Sequence, residues 1–143
     1  MNVTQLNINV GVEISGVQGD AAFDEGLVAE TQRLLDRHGV VMFREAAISD
    51  DAPLHFSAMF GPLVVQPTGE HEPPEIQTIT MHTNPVLAAY RRGNFLWHID
   101  GATDATPQKG TFLSAIETDD GGEGGTEFAT TYAAYAALSD ADK

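Results

Sequence analysis

A histidine and an aspartate separated by one residue carry the strongest chemical signal in this sequence of 143 residues. They are His98 and Asp100, in the stretch Asn94-Phe95-Leu96-Trp97-His98-Ile99-Asp100. On a β-strand, residues i and i+2 point to the same face, so this imidazole and this carboxylate could reach one metal ion. Such a pair supplies two ligands of the 2-His-1-carboxylate triad, which holds Fe(II) and leaves coordination positions open. Taken alone, the spacing also fits a hydrogen-bonded His–Asp pair at a strand end.

The segments around this pair are expected to be extended. Residues 95–99 and 111–116 are strand candidates, and residues 76–81 alternate between apolar and polar types. The acidic, glycine-rich residues 119–125 predict a turn. Residues 126–129 are then expected to resume an extended conformation.

The sequence pattern of the N-terminal part predicts one or two strands followed by a helix. Roughly alternating apolar residues at 3–17 predict one or two short strands. Apolar residues at helical spacing within 23–38 predict an amphipathic helix. Asp20 or Asp24 could cap its start, and Gly39 suits its C-terminal stop.

Another strand and two further helices are predicted later in the chain. Residues 40–43 predict a short buried strand. Ser49 is expected to cap a helix that ends at Gly61, while Thr130 or Thr131 is expected to cap another. The inward side chains of the helix after Ser49 are expected to be Leu54, Ala58 and Met59.

Composition excludes several classes of function. Acidic residues outnumber basic ones 21 to 7, for a formal net charge of −14, which argues against nucleic-acid and anionic-membrane partners. The chain has no cysteine, so disulfide, zinc-thiolate, iron–sulfur and thiol-nucleophile chemistry are excluded. No signal segment and no membrane-spanning apolar run is evident, so we expect a cytoplasmic protein.

Several ordered motifs resemble the TauD/TfdA family of Fe(II)/2-oxoglutarate-dependent dioxygenases. Around the site they are Trp97-His98-x-Asp100, Gly124-Gly125-Thr126-Glu127-Phe128 and Ala133-Ala134-Tyr135-Ala136-Ala137-Leu138. In the N-terminal half they are residues 11–16, 38–44 and 60–63. The resemblance covers nearly the whole chain. It implies a mainly β fold with flanking helices, a double-stranded β-helix (jelly roll) that is incomplete in this chain.

The resemblance also assigns roles to individual residues. His98 and Asp100 match the first two iron ligands, and Thr126 matches the threonine that binds the distal carboxylate of 2-oxoglutarate. Asn94 matches a residue on the substrate side of the pocket, although it could equally be a loop cap. Gln66 stands where taurine enzymes carry a substrate-binding histidine, which argues against taurine as the substrate.

The family places the third iron ligand, a histidine, and the 2-oxoglutarate-binding arginine beyond the equivalent of Lys143. We therefore expect the natural protein to continue past this residue, and the 143-residue chain alone to turn over 2-oxoglutarate poorly. A less favoured alternative is that another histidine completes the triad: His38, His55, His71 or His82.

The implied reaction is hydroxylation of a small organic substrate with release of succinate and CO2, using Fe(II) and 2-oxoglutarate. A homo-oligomer is compatible with the sequence. Two other functions stay open: a truncated, catalytically inactive jelly-roll module, and a cupin-like binding protein that uses the same barrel without oxidation.

Overall fold

A computed structural model describes residues 1–65, 75–76, 96–116, 118 and 125–143. The chain divides into two compact units, one of Met1–Pro62 with Ala115–Lys143 and one of Leu63–Ser114. Within the described residues, the strands are β1 (Asn2–Gln5), β2 (Val12–Ser15) and β3 (Val41–Phe43). In the same residues the α-helices are α1 (Glu25–His38), α2 (Ala52–Ala58) and α3 (Thr131–Ala137), and a 3-10 turn covers Asp20–Ala22.

The three strands form one mixed sheet with β2 at its centre. β2 pairs antiparallel with β1 and parallel with β3, in the order β1-β2-β3. Val12 and Ile14 are 2% and 1% exposed, whereas Glu13 between them binds Arg44 at 3.2 Å. This period-two alternation buries one face of β2. The strands predicted within residues 3–17 and at residues 40–43 are confirmed.

Helix α1 begins and ends at residues suited to those positions. The Asp24 side chain accepts a hydrogen bond from the Leu27 amide at 2.9 Å, so Asp24 is the cap and Asp20 is not. Gly39 adopts the left-handed conformation, with φ 74°, and its amide donates to the Leu35 carbonyl at 2.8 Å. The face of α1 at helical spacing is buried as predicted, through Leu27, Thr31 and Leu34.

Aromatic side chains hold the core of this unit together. Phe56 of α2 packs edge-on against Phe23 and Phe60, with ring centroids 5.0 and 5.2 Å apart. Phe43 of β3 lies 5.2 Å from Phe23 and 5.8 Å from Phe56. Edge-to-face contacts of this kind add to the free energy gained by burying the rings.

The inward face of α2 was predicted wrongly. Ala52 and Phe56 are buried, whereas Ala58 and Met59 are exposed. The helix has only seven residues and buries a single i, i+4 pair, so the aromatic ring determines which side faces the core.

Ser49 does not cap α2, contrary to the prediction. Its hydroxyl donates to Asp20 Oδ2 at 2.7 Å, and its amide donates to Asp20 Oδ1 at 2.8 Å. Because Asp20 binds Ser49 in this way, the serine joins the loop before α2 to the 3-10 turn. In the same loop Glu45 and Ala47 have φ of 52° and 48°, a strained conformation for residues with a side chain.

Helix α3 is capped by Thr130 as predicted, since its hydroxyl accepts a hydrogen bond from the Tyr132 amide. The predicted strands at 111–116 and 126–129, and at 96–99 within the predicted 95–99, are not formed. Most of the predicted strand 76–81 lies outside the described residues. Among the described residues, no helix has the length and apolar character needed to cross a bilayer.

Candidate metal centre

The side chains of His98 and Asp100 meet, as their spacing predicts. His98 Nε2 lies 3.2 Å from Asp100 Oδ1, and each side chain is about half exposed. The two residues do not lie on a strand, because the chain turns at Asp100 and continues turning through Thr103. Proximity of the pair is therefore confirmed, but it arises from a turn.

A backbone carbonyl determines which nitrogen of His98 faces the aspartate. His98 Nδ1 lies 2.7 Å from the Leu96 carbonyl oxygen. A carbonyl oxygen can only accept, so Nδ1 must carry the proton in this contact. In the neutral ring Nε2 then has a free lone pair, which is the form that binds metals.

The Asp100 carboxylate is held from its other side by a threonine. Thr111 Oγ1 donates to Asp100 Oδ2 at 2.7 Å. Oδ2 is thus engaged with the hydroxyl, while Oδ1 faces His98. Thr111 was not predicted as a site residue, because nothing in its local sequence pattern links it to a residue eleven positions earlier.

The two ligand atoms fit neighbouring positions on one metal ion. Metal–nitrogen and metal–oxygen bonds to first-row metals are about 2.1 Å long, so two ligands at a right angle lie about 3.0 Å apart. The observed separation of Nε2 and Oδ1 is 3.2 Å. One imidazole nitrogen and one carboxylate oxygen, both oriented by further hydrogen bonds, are a donor set suited to Fe(II).

Gly101 makes the turn after Asp100 possible. Its φ is +61°, and a Cβ at this position would lie 3.0 Å from both Asp104 Oδ2 and Gln108 Cγ. The Asp104 amide closes the turn by donating to the Gly101 carbonyl at 3.0 Å. A glycine suits this position on two counts, its left-handed backbone and the close approach of the loop.

The remaining predicted site residues lie in the other compact unit or outside the described residues. Thr126 is exposed and belongs to the unit that contains the sheet, whereas His98 and Asp100 belong to the other. Asn94 and Gln66 lie outside the described residues, so their predicted roles stay predictions. Within the described ranges, no group of three or more potential metal ligands comes together.

The other four histidines also lie in the other compact unit or outside the described residues. His38 ends α1 and His55 lies on α2, both in the unit with the sheet. His71 and His82 are outside the described residues. No third ligand is therefore identified in the part of the chain that the structure describes.

Comparison with known proteins identifies the family of the chain. The profile described as "Taurine catabolism dioxygenase TauD, TfdA family" matches residues 2–143. The chain belongs to the TauD/TfdA family. A curated relative, the alpha-ketoglutarate-dependent 2,4-dichlorophenoxyacetate dioxygenase of Cupriavidus pinatubonensis (strain JMP 134 / LMG 1197), is 33% identical; the match covers 78% of this chain and 43% of the relative. The chain thus spans less than half the length of that relative.

Proposed function

We propose that this TauD/TfdA chain carries the first part of the iron site of a 2-oxoglutarate-dependent dioxygenase. The observation that supports this most directly is the 3.2 Å separation of His98 Nε2 and Asp100 Oδ1, with each ligand oriented by a further hydrogen bond. The family match over residues 2–143 and the name of the relative support the same class of reaction.

In this proposal His98 and Asp100 hold Fe(II) through Nε2 and Oδ1. Bound Fe(II), together with 2-oxoglutarate and O2, supplies the oxidising chemistry that hydroxylates a small organic substrate and releases succinate and CO2. The Leu96 carbonyl keeps the proton of His98 on Nδ1, so that Nε2 remains a ligand. Thr126 is proposed to bind the distal carboxylate of 2-oxoglutarate, and Asn94 and Gln66 to face the substrate.

The proposed architecture is the jelly roll of the family. The described three-stranded sheet and its helices would be the elements that precede the barrel strands in the chain. Leu96, Trp97 and Ile99 are each about 70% exposed, which is unusual for three large apolar side chains so close in sequence. In a jelly roll the facing sheet would cover the inward side chains of such a segment, as in any pair of sheets packed face to face. We propose cytoplasmic localisation on the same family grounds.

The test is iron-dependent formation of succinate from 2-oxoglutarate by the protein as its gene encodes it. Wild type is compared with His98→Ala and Asp100→Ala, and with His55→Ala as the matched control. His55 is an exposed histidine on α2, in the other compact unit. We expect both site variants to lose turnover and the control to keep it.

The other functions predict different results. Metal binding that is lost in His98→Ala, without succinate formation, would indicate an inactive module or a cupin-like binding protein. Equal metal affinity in wild type and His98→Ala would reduce the pair to a hydrogen-bonded surface contact. Succinate formation that survives both site substitutions would contradict the proposed ligands.

A further inference from the structure

Thr111 is the residue that reaches the proposed metal site from the far side of the loop. We propose that Thr111 is a positioning residue, which holds the Asp100 carboxylate so that Oδ1 is presented to the metal beside His98 Nε2. This inference rests on the proposed metal site and adds a residue to it. The observation behind it is the 2.7 Å hydrogen bond from Thr111 Oγ1 to Asp100 Oδ2.

The two oxygens of an aspartate are chemically equivalent until something distinguishes them. Rotation about the last side-chain bond exchanges them, and the terminal torsion of aspartate is broad. A hydroxyl that donates to one oxygen removes this freedom, because the bond to a carboxylate is charge-assisted and short. With Oδ2 occupied by Thr111, Asp100 is directed to bind a metal through Oδ1 alone.

The other oxygen of the Asp100 carboxylate faces the neighbouring ligand. The Asp100 oxygen that Thr111 leaves available, Oδ1, is the one that lies 3.2 Å from His98 Nε2. His98 is itself oriented by a hydrogen bond on its other nitrogen. Each proposed ligand therefore has one atom facing the site and one atom held from behind, the arrangement in which outer hydrogen bonds tune metal affinity.

The loop between the two residues delivers Thr111 to this position. The left-handed Gly101 reverses the chain directly after Asp100, and the Gln108 side chain lies against Gly101. Thr111 follows three residues later and is itself exposed. Since its side chain is not packed in a core, replacing it should leave the fold intact and change only its hydrogen bond.

Thr111 could instead serve only to close the loop 100–111. A loop-closing role predicts that any small side-chain change in this loop weakens the site to a similar degree. A positioning role predicts sensitivity to the hydroxyl alone. Thr111→Val removes the hydroxyl while keeping the branched shape, Thr111→Ser keeps the hydroxyl, and Thr106→Val makes the same change at an exposed threonine of the same loop.

The experiment titrates the purified protein with Co(II), a spectroscopic substitute for Fe(II). The dissociation constant is read from the visible absorption of the bound ion and from quenching of Trp97, the chain's single tryptophan and the neighbour of His98. We expect Thr111→Val to weaken Co(II) binding about 10-fold, at the low end for an outer-shell hydrogen bond because the site is half exposed. Thr111→Ser and Thr106→Val should bind like wild type, with the thermal midpoint unchanged in all three variants.

The outcomes separate this inference from the proposed function. If Thr111→Val binds Co(II) like wild type while His98→Ala does not, the positioning role is wrong and the metal site stands. If Thr111→Val and Thr106→Val weaken binding equally, or if Thr111→Ser fails to restore it, the loop-closing role is correct instead. If wild type binds no Co(II), or if His98→Ala binds it equally well, both the metal site and the role of Thr111 are overturned.

Discussion

The sheet-and-helix core and the His98–Asp100 loop are stabilised in opposite ways. In the core, Val12, Ile14 and Phe56 are at most 3% exposed and belong to one cluster of buried apolar side chains. In the loop, Leu96 and Trp97 are 72% and 69% exposed, and the described contacts are polar. Stability and the proposed chemistry therefore reside in separate parts of this chain, and a substitution in one part should leave the other unaffected.

The largest expected effect comes from removing the central aromatic ring of the core. Phe56→Ala should lower the free energy of unfolding by about 3–5 kcal/mol, because it leaves a cavity among Phe23, Phe43 and Phe60. Trp97→Ala removes a larger side chain. It should nevertheless change the free energy of unfolding by less than about 0.5 kcal/mol, because the ring is exposed. Urea denaturation followed by circular dichroism measures both. A loss of stability in Trp97→Ala as large as in Phe56→Ala would show that the loop contributes to the stability of the fold as much as the core does.

Two left-handed glycines allow the same substitution to be made in each region. Gly39→Ala, at φ 74° after α1, should lower the free energy of unfolding by about 1–2 kcal/mol and leave Co(II) affinity unchanged. Gly101→Ala, at φ +61° beside Asp100, should weaken Co(II) binding about tenfold, the equivalent of a similar strain energy. Its effect on global unfolding should be smaller. Reversed results for the two glycines would show that the two regions are energetically coupled.

A buried hydroxyl in α1 offers a gain in stability. Thr31 is 4% exposed, and its Oγ1 has no hydrogen-bond partner among the described residues. Thr31→Val replaces the hydroxyl with a methyl group of similar size and should raise the free energy of unfolding by about 1 kcal/mol. Thr31→Ser keeps the hydroxyl and loses the methyl group, so it should be destabilising. Thermal unfolding of both variants measures the difference, and equal stability of the two would contradict it.

The smallest expected effect is a dependence of stability on pH. Hydrogen bonds from the Ser49 amide and then its hydroxyl hold the pKa of Asp20 below its ordinary value, with a lesser contribution from the charge of His55. A carboxyl with a lowered folded-state pKa stabilises the fold above its unfolded pKa of about 3.9, and this contribution is lost as the pH falls through the folded value. Below about pH 4, Asp20→Asn should therefore flatten the fall in stability.

Asp50→Asn, at an exposed aspartate in the neighbouring turn, is the control for this measurement. Urea denaturation midpoints of wild type and both variants, measured from about pH 2 to 6, would show the effect, because carboxyl groups titrate in this range. Parallel curves for wild type and Asp20→Asn would show that Ser49 contributes nothing to acid sensitivity.

Helix α1 and its ends were predictable because their determinants are local. The apolar spacing, the Asp24 cap and the Gly39 stop all lie within one segment of chain. Ser49 shows where local reasoning fails: serine before a helix is a good cap, but Asp20, 29 residues earlier, binds its hydroxyl. A contact over that distance leaves no pattern in the sequence around either residue.

The candidate site shows the same limit. A spacing of two residues correctly predicted that His98 and Asp100 meet, although on a turn and not on the expected strand. Strands at 96–99 and 111–116 did not form because a strand exists only through hydrogen bonds to a neighbouring strand. Thr111 could not be predicted, since its relation to Asp100 depends on the path of the intervening loop.

The central position of β2 has a consequence for the order in which the sheet assembles. Gln5 pairs with Val12, seven residues away, whereas Val12 also pairs with Val41, which is 29 residues away. Two doublings of loop length raise the entropic cost of closure by about 1.2 kcal/mol, and the longer connection must also contain α1. The antiparallel hairpin should therefore form early, and β3 should join with the helix in a later and slower step. Closure of the sheet therefore waits for residues 41–43, which must have left the ribosome before β3 can pair with β2.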